Sequence, residues 1–143
     1  MKIFLDANIL VSVLNKEYPL FTYSSRILSL ADDKRFQVFT SPVCLSIAFY
    51  FAEKKCGSAL AKKKIELLID KMSVAVADKE VVSNAIQDKR VEDFEDGIEY
   101  YSAVKANCTC LITEDIEDFH FAKAEVLNSK SFLEKYVLPK LRK

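Results

Sequence analysis

Lys2-Ile3-Phe4-Leu5-Asp6-Ala7-Asn8-Ile9-Leu10 is the stretch whose reading decides the fold. Residues suited to a buried strand run into an aspartate, and Ile9, Leu10, Val13 and Leu14 then recur at helical spacing. So short a passage from strand to helix leaves Asp6 at the carboxyl end of a central strand. In open α/β sheets that edge is where ligands bind. Two later segments bring acid to the same edge. Asp93-Phe94-Glu95-Asp96 opens a helical pattern, and Thr113-Glu114-Asp115-Ile116-Glu117-Asp118-Phe119 follows the apolar run Cys110-Leu111-Ile112.

Outward from that stretch, the spacing predicts a helix over about 7–15, broken at Glu17-Tyr18-Pro19, and a second over 20–33. Phe36 to Thr40 reads as a strand. Ser41-Pro42 reads as an N-cap followed by the first helical residue. The helix they open, about 42–55, is apolar nearly all round, which predicts burial on several sides. Gly57 caps its end, and a helix over 58–72 turns Leu60, Ile65, Leu68, Ile69 and Met72 inward. A small strand at 74–77 and a helix from Asp78 to about 87 follow. Next come a helix over 93–106 with Ile98, Tyr101, Val104 and Ala106 inward, a strand at 110–113, an edge strand at 124–127 and a closing helix over 130–141. Strands alternating with helices predict an α/β fold: a three-layer sandwich with a mainly parallel central sheet flanked by helices. A chain of 143 residues suits one domain, 1–143, around one core.

Composition excludes several classes. Lys plus Arg equals Asp plus Glu at 21 each, so no overall field steers the chain to nucleic acid. Only two glycines occur, Gly57 and Gly97, which excludes glycine-rich phosphate cradles. Cys44, Cys56, Cys108 and Cys110 lack paired metal-site spacing, and His120 is the single histidine; buried free thiols in a reducing cytosol are the expectation. No leader pattern and no apolar run near the roughly 20 residues of a membrane span is visible. A cytoplasmic protein with no membrane contact is expected.

Singly, the acids read as helix caps: Asp6 for the first helix, Asp93 and Asp96 at the N-cap and third position of another, Asp115 and Asp118 on a single turn. Together they read differently. Asp6 and Asp115 both follow apolar strands directly, and Asp96 opens the helix that leads into the second of those strands. Uncompensated carboxylates so close repel or shift their proton affinities. A hard divalent cation such as Mg²⁺ removes the conflict and leaves positions open for phosphate oxygens. Such chemistry needs no histidine, cysteine or serine nucleophile.

Leu-Asp-Ala-Asn-Ile-Leu at 5–10, Asp-Phe-Glu-Asp at 93–96 and Leu-Ile-Thr-Glu-Asp-Ile-Glu-Asp-Phe at 111–119 resemble, in order, the three signatures of the PIN-domain family. Thr40-Ser41-Pro42 fits the start of that family's third helix. The resemblance spans nearly the whole chain and implies the metal-dependent ribonuclease fold of VapC-type toxins. It assigns catalysis and metal ligation, with Mg²⁺ or Mn²⁺, to Asp6, Asp96 and Asp115. Asp93 and Asp118 become auxiliary acids, and Asn8 and Thr113 polar supports. It also implies RNA as substrate, a small antitoxin protein as partner, and a homodimer.

One position departs. The resemblance expects a glutamate in a Leu-x-Glu pattern after Ser-Pro, and Leu45-Ser46-Ile47 supplies isoleucine. Glu53 lies roughly 9 Å further along the axis and cannot substitute. A second reading follows, a PIN fold that binds RNA or a protein without cutting. Lys54, Lys55, Lys62, Lys63 and Lys64, with Lys140, Arg142 and Lys143, read as solvated faces or as an RNA backbone clamp. Tyr18, Tyr23, Tyr100 and Tyr101 read as packed rings or as base-stacking partners. A phosphoacceptor receiver is set aside, because Leu5-Asp6-Ala7-Asn8 lacks the acidic pair and Thr113-Glu114-Asp115 the lysine that it needs.

Overall fold

A computed structural model describes residues 1–138. Strand β1 (Lys2–Leu5) leads into helix α1 (Ala7–Leu14), then α2 (Phe21–Ser29) with a 3₁₀ turn at Leu30–Asp32, and β2 (Gln37–Thr40). Helices α3 (Pro42–Cys56) and α4 (Ser58–Lys71) precede the short β3 (Ser73–Val74). After α5 (Lys79–Gln87) and α6 (Phe94–Lys105) come β4 (Cys110–Ile112), a 3₁₀ turn at Ile116–Phe119 and β5 (Glu125–Leu127). Helix α7 (Ser129–Phe132) continues as a π-helical turn at Leu133–Val137. Lys140, Arg142 and Lys143, and the far end of the expected closing helix, lie outside the described residues.

The five strands lie in the order β3-β2-β1-β4-β5, and every pairing is parallel. The helices cover the sheet, giving the expected three-layer α/β sandwich with a wholly parallel sheet. Because β1 is covered on both faces, it reads as a continuous apolar run: Ile3, Phe4 and Leu5 are all fully buried. Its register with β4 sets Ile3 beside Cys110 and Leu5 beside Ile112. The pairing extends one step further, where the Asp6 N–H donates to the Ile112 carbonyl at 3.0 Å. Asp6 and Thr113 therefore leave neighbouring strands side by side.

Local chemistry sets the helix starts around this edge. The Ser41 hydroxyl accepts the Cys44 N–H at 3.2 Å ahead of Pro42, the first residue of α3. Gly57, at φ +83°, ends α3 and begins α4 in a conformation that side-chain-bearing residues rarely adopt. Gly97 has another reason. A Cβ there would lie 2.7 Å from Val91 Cγ1 and 3.1 Å from Ala85 Cβ, so its absence lets α6 close on α5.

Burial differs from expectation on three helices. Helix α3 is not buried all round: it buries the small stripe Cys44, Ala48 and Ala52, while Tyr50 and Phe51 stay exposed. Small residues four apart allow close packing with α1 and α4 and leave the bulky ones to other faces. On α4 only Ala61 and Leu68 are fully buried, and Leu60 and Ile69 face outward, because the helix packs along one stripe. On α6 Val104 is exposed, and the buried face includes Glu99, a charged residue where sequence patterning expects none. The short β3 ends before Ala75, and Val76 is exposed.

Candidate active site

A cleft of about 420 Å³ opens where β1, β4 and α6 meet. At its floor Asp6 N-caps α1: Oδ1 accepts the Ala7 N–H at 2.6 Å, and Oδ2 accepts the Thr113 hydroxyl at 2.7 Å. Thr113, fully buried, uses its oxygen completely. It donates to Asp6 and accepts from Asn8 Nδ2 at 3.1 Å and from the Asp115 N–H at 3.0 Å. Asn8 Nδ2 also reaches Asp115 Oδ2 at 3.1 Å, and Asn8 Oδ1 accepts the Glu114 N–H at 3.3 Å. Asn8 and Thr113 thus fasten the acid after β1 to the acid after β4.

Helix α6 brings the third segment. Asp93 caps it, accepting the N–H groups of Glu95 at 2.9 Å and Asp96 at 3.3 Å. That fixes the first turn and turns Asp96 into the cleft. Asp6, Asn8, Asp93, Asp96, Asp115 and Asp118 all line this one cavity, with Thr113 directly beneath. Opposite stands an apolar wall of Val11, Leu20, Ile47 and Phe51. Among the described residues that line it, eight are carboxylic acids and none is basic, so the lining side chains give the cleft a negative field.

Sequence reasoning missed Glu99. It sits one turn beyond Asp96 on α6, is 1% exposed and lines the same cleft. One ligand atom each from Asp6, Glu99 and Cys44 lies within 4.8 Å of the other two. Glu99 Oε2 has no hydrogen-bond partner. The signal was present as spacing: residues 96, 99 and 103 share a helix face, and Ala103 is buried.

Proton affinities register the crowding. Burial first, then the hydrogen bond to Asp6 and its charge, push Glu99 up to about 11. Burial first, then the charges of Asp93, Asp6 and Asp118, push Asp96 up to about 7. Asp118 is raised by desolvation and by Asp115. Burial, with Glu99 and Asp6 nearby, raises the Cys44 thiol well above its usual value and keeps it protonated. The groups that could hold a divalent cation here are Asp6, Asp96, Asp115 and Glu99. The crowding of acids and the unpaired Glu99 oxygen fit such an ion.

The lysines serve elsewhere. Lys64 Nζ and Lys55 Nζ donate to the carbonyls of Leu14 and Asn15, closing the carboxyl end of α1, and Lys54 stacks on Tyr50 at 4.3 Å. Lys62 and Lys63 are exposed, and none of the five lines the cleft. Tyr100 is buried and accepts the Lys123 N–H, while the Tyr101 hydroxyl donates to Asp88 at 2.7 Å. Both are packed rings rather than free stacking surfaces; Tyr18 remains exposed.

With this geometry, a PIN-domain family model matches residues 2–117, and the chain belongs to the PIN-domain family. Ribonuclease VapC1 of Aquifex aeolicus (strain VF5) is similar at 25% identity over 139 residues, covering 94% of this chain and 95% of its own. Among solved structures, VapBC-1 from nontypeable Haemophilus influenzae superposes with a TM-score of 0.69 at 16% identity, covering 91% of this chain and 99% of that one. VapBC2 from Rickettsia felis, bound to a DNA fragment from their promoter, gives 0.68 at 18% identity, with 90% and 98% covered. VapC20 of Mycobacterium tuberculosis, described as a Sarcin-Ricin loop cleaving toxin, gives 0.61 at 17% identity, with 76% and 86% covered.

Proposed function

We propose that the chain is a divalent-cation-dependent endoribonuclease of the VapC type, the toxin of a toxin–antitoxin pair. The observation that carries this is the convergence of acids from three separate segments on one cleft that, among the described residues, no basic side chain lines. Such a cleft repels a phosphate backbone unless a cation stands between them. Asp6, Asp96 and Asp115 are the residues we assign to hold Mg²⁺ or Mn²⁺. When bound, the ion supplies water activation and offsets charge that develops on the phosphate.

The chain's own residues do the rest. Thr113 and Asn8 hold Asp6 and Asp115 in fixed orientation. Asp93 keeps the first turn of α6 intact so that Asp96 stays presented. To Asp118, an exposed acid of the cleft lining, we assign the auxiliary role of taking a proton from the attacking water. Phe51, 44% exposed on the apolar wall, offers a face on which an unpaired base can stack.

The ribonuclease name of the Aquifex relative and the cleaving role given for VapC20 support RNA as substrate. The VapBC complexes support an antitoxin partner, and promoter DNA reached through that complex. The homodimer belongs to the same proposal and is checked by sedimentation.

Single-stranded and hairpin RNAs incubated with Mn²⁺ or Mg²⁺ test the activity. Cleavage is expected, abolished by chelator and by Asp6→Asn. Ile47 in the cleft wall favours a second reading, a PIN fold that binds without cutting. Intact RNA in the presence of both metals, with the protein folded, selects that reading and removes the first.

A further inference from the structure

Glu99 has no role in the proposal so far, yet it is the most deeply buried acid of the cleft. Asp6 has its donors in the Ala7 N–H and the Thr113 hydroxyl. Glu99 has neighbours of another kind, the Asp6 carboxylate and the Cys44 thiol. One of its oxygens, Oε2, is buried with no partner at all. A carboxylate placed purely for structure is ordinarily satisfied by donors, because burying an unpaired one is costly. Among the described residues no Lys, Arg or His lines the cleft to serve it.

Among the described residues no cation faces that oxygen, which leaves it open to one that enters the cleft from outside the chain. We propose that Glu99 is an inner carboxylate ligand, together with Asp6, for the divalent cation of this cleft. A cation about 2–2.5 Å from each oxygen spans atoms up to about 5 Å apart, and the oxygens of Asp6 and Glu99 lie within 4.8 Å of each other. Cys44 stands beside them as a neutral neighbour. Glu99 reaches the site from α6, while Ile47 faces the same cavity from α3. The acid that α3 lacks is thus supplied by α6. The helix spacing permits it, since Asp96 and Glu99 are one turn apart and line the same cleft.

This inference rests on the cation-dependent reading above, and one experiment separates their failures. Mn²⁺ is titrated into the metal-free wild type, Asp6→Asn, Glu99→Gln and, as an exposed acid off the cleft, Glu53→Gln. Bound Mn²⁺ is read as loss of the free-ion resonance signal, and folding by thermal melting in chelator. Glu99→Gln keeps the size of the side chain and can still hydrogen-bond to Asp6. It is expected to melt no lower than wild type and to weaken Mn²⁺ binding by about 10–100-fold. Glu53→Gln is expected to bind as wild type does. If Glu99→Gln fails to fold, Glu99→Asp, which keeps the charge and withdraws it by one methylene, is expected to weaken binding in the same direction. Wild-type affinity in a folded Glu99 variant, with binding lost in Asp6→Asn, overturns the role of Glu99 alone and leaves it a proton-sharing neighbour of Asp6. Absence of Mn²⁺ binding by the wild type overturns the cation-dependent reading itself.

Discussion

Thr113 Oγ1 donates to Asp6 Oδ2 at 2.7 Å although 107 residues separate them along the chain. The contact exists because β1 and β4 pair in parallel and run out at the same level. The same hydroxyl also accepts from Asn8 and from the Asp115 backbone. Thr113→Val keeps the shape and leaves these groups unpaired. The expected cost is about 1–3 kcal/mol in urea unfolding. Mn²⁺ affinity should fall about 10–100-fold, and Thr113→Ser should restore both.

Asp96 and Glu99 give the metal-free protein an unusual pH profile. Their folded proton affinities, about 7 and about 11, lie above the ordinary 3.8 and 4.5. The folded chain therefore keeps protons that the unfolded chain releases, and stability falls as pH rises through this range. The melting temperature in chelator should drop from about pH 5 to about pH 8, while the lowered acids Asp78, Asp88 and Glu125 contribute only at lower pH. Asp96→Asn should flatten part of that slope while abolishing cleavage. A steep loss of stability with cleavage retained would make Asp96 a helix-start residue and nothing more.

Ile47 lines the cleft and is only partly buried, so a glutamate there has room to face the acids. Ile47→Glu is expected to fold and to tighten Mn²⁺ binding by about tenfold, roughly 1.4 kcal/mol. Calorimetry on the folded variant checks this, and unchanged affinity would show that the α3 position lies beyond reach of the ion.

Gly97 lies beside Asp96 and against Val91. Gly97→Ala is expected to destabilise by about 1–3 kcal/mol through overpacking, despite the better helix propensity of alanine. Adding Val91→Ala removes the 2.7 Å clash and should recover part of that loss. A fully additive double mutant would mean that the two helices separate rather than jam.

Much was legible because local rules and tertiary structure agree. Lys2 to Leu5 read as a buried central strand, and Ser41-Pro42 and Asp93 as helix starts; each element begins within a residue or so of its expected place. Asp6, Asp96 and Asp115 were visible as acids at strand ends and a helix start, and the cleft gathers them. Burial was less legible, as Phe51 and Leu60 show. Hydrophobic pattern names candidates for a core, and packing chooses among them.

The sequence by itself determined the strand–helix alternation, the parallel sheet and the edge at which the acids collect. Periodicity, caps and turn residues act over a few positions, and family motifs preserve their order. Only the tertiary structure decided that Glu99 faces Asp6 and that Thr113 bonds to it. It also decided that Lys55 and Lys64 close the end of α1 and do not line the acidic cleft. These depend on strand register and helix rotation, which bring together residues tens of positions apart and turn a charged side chain into a core that its chemistry alone would have it avoid.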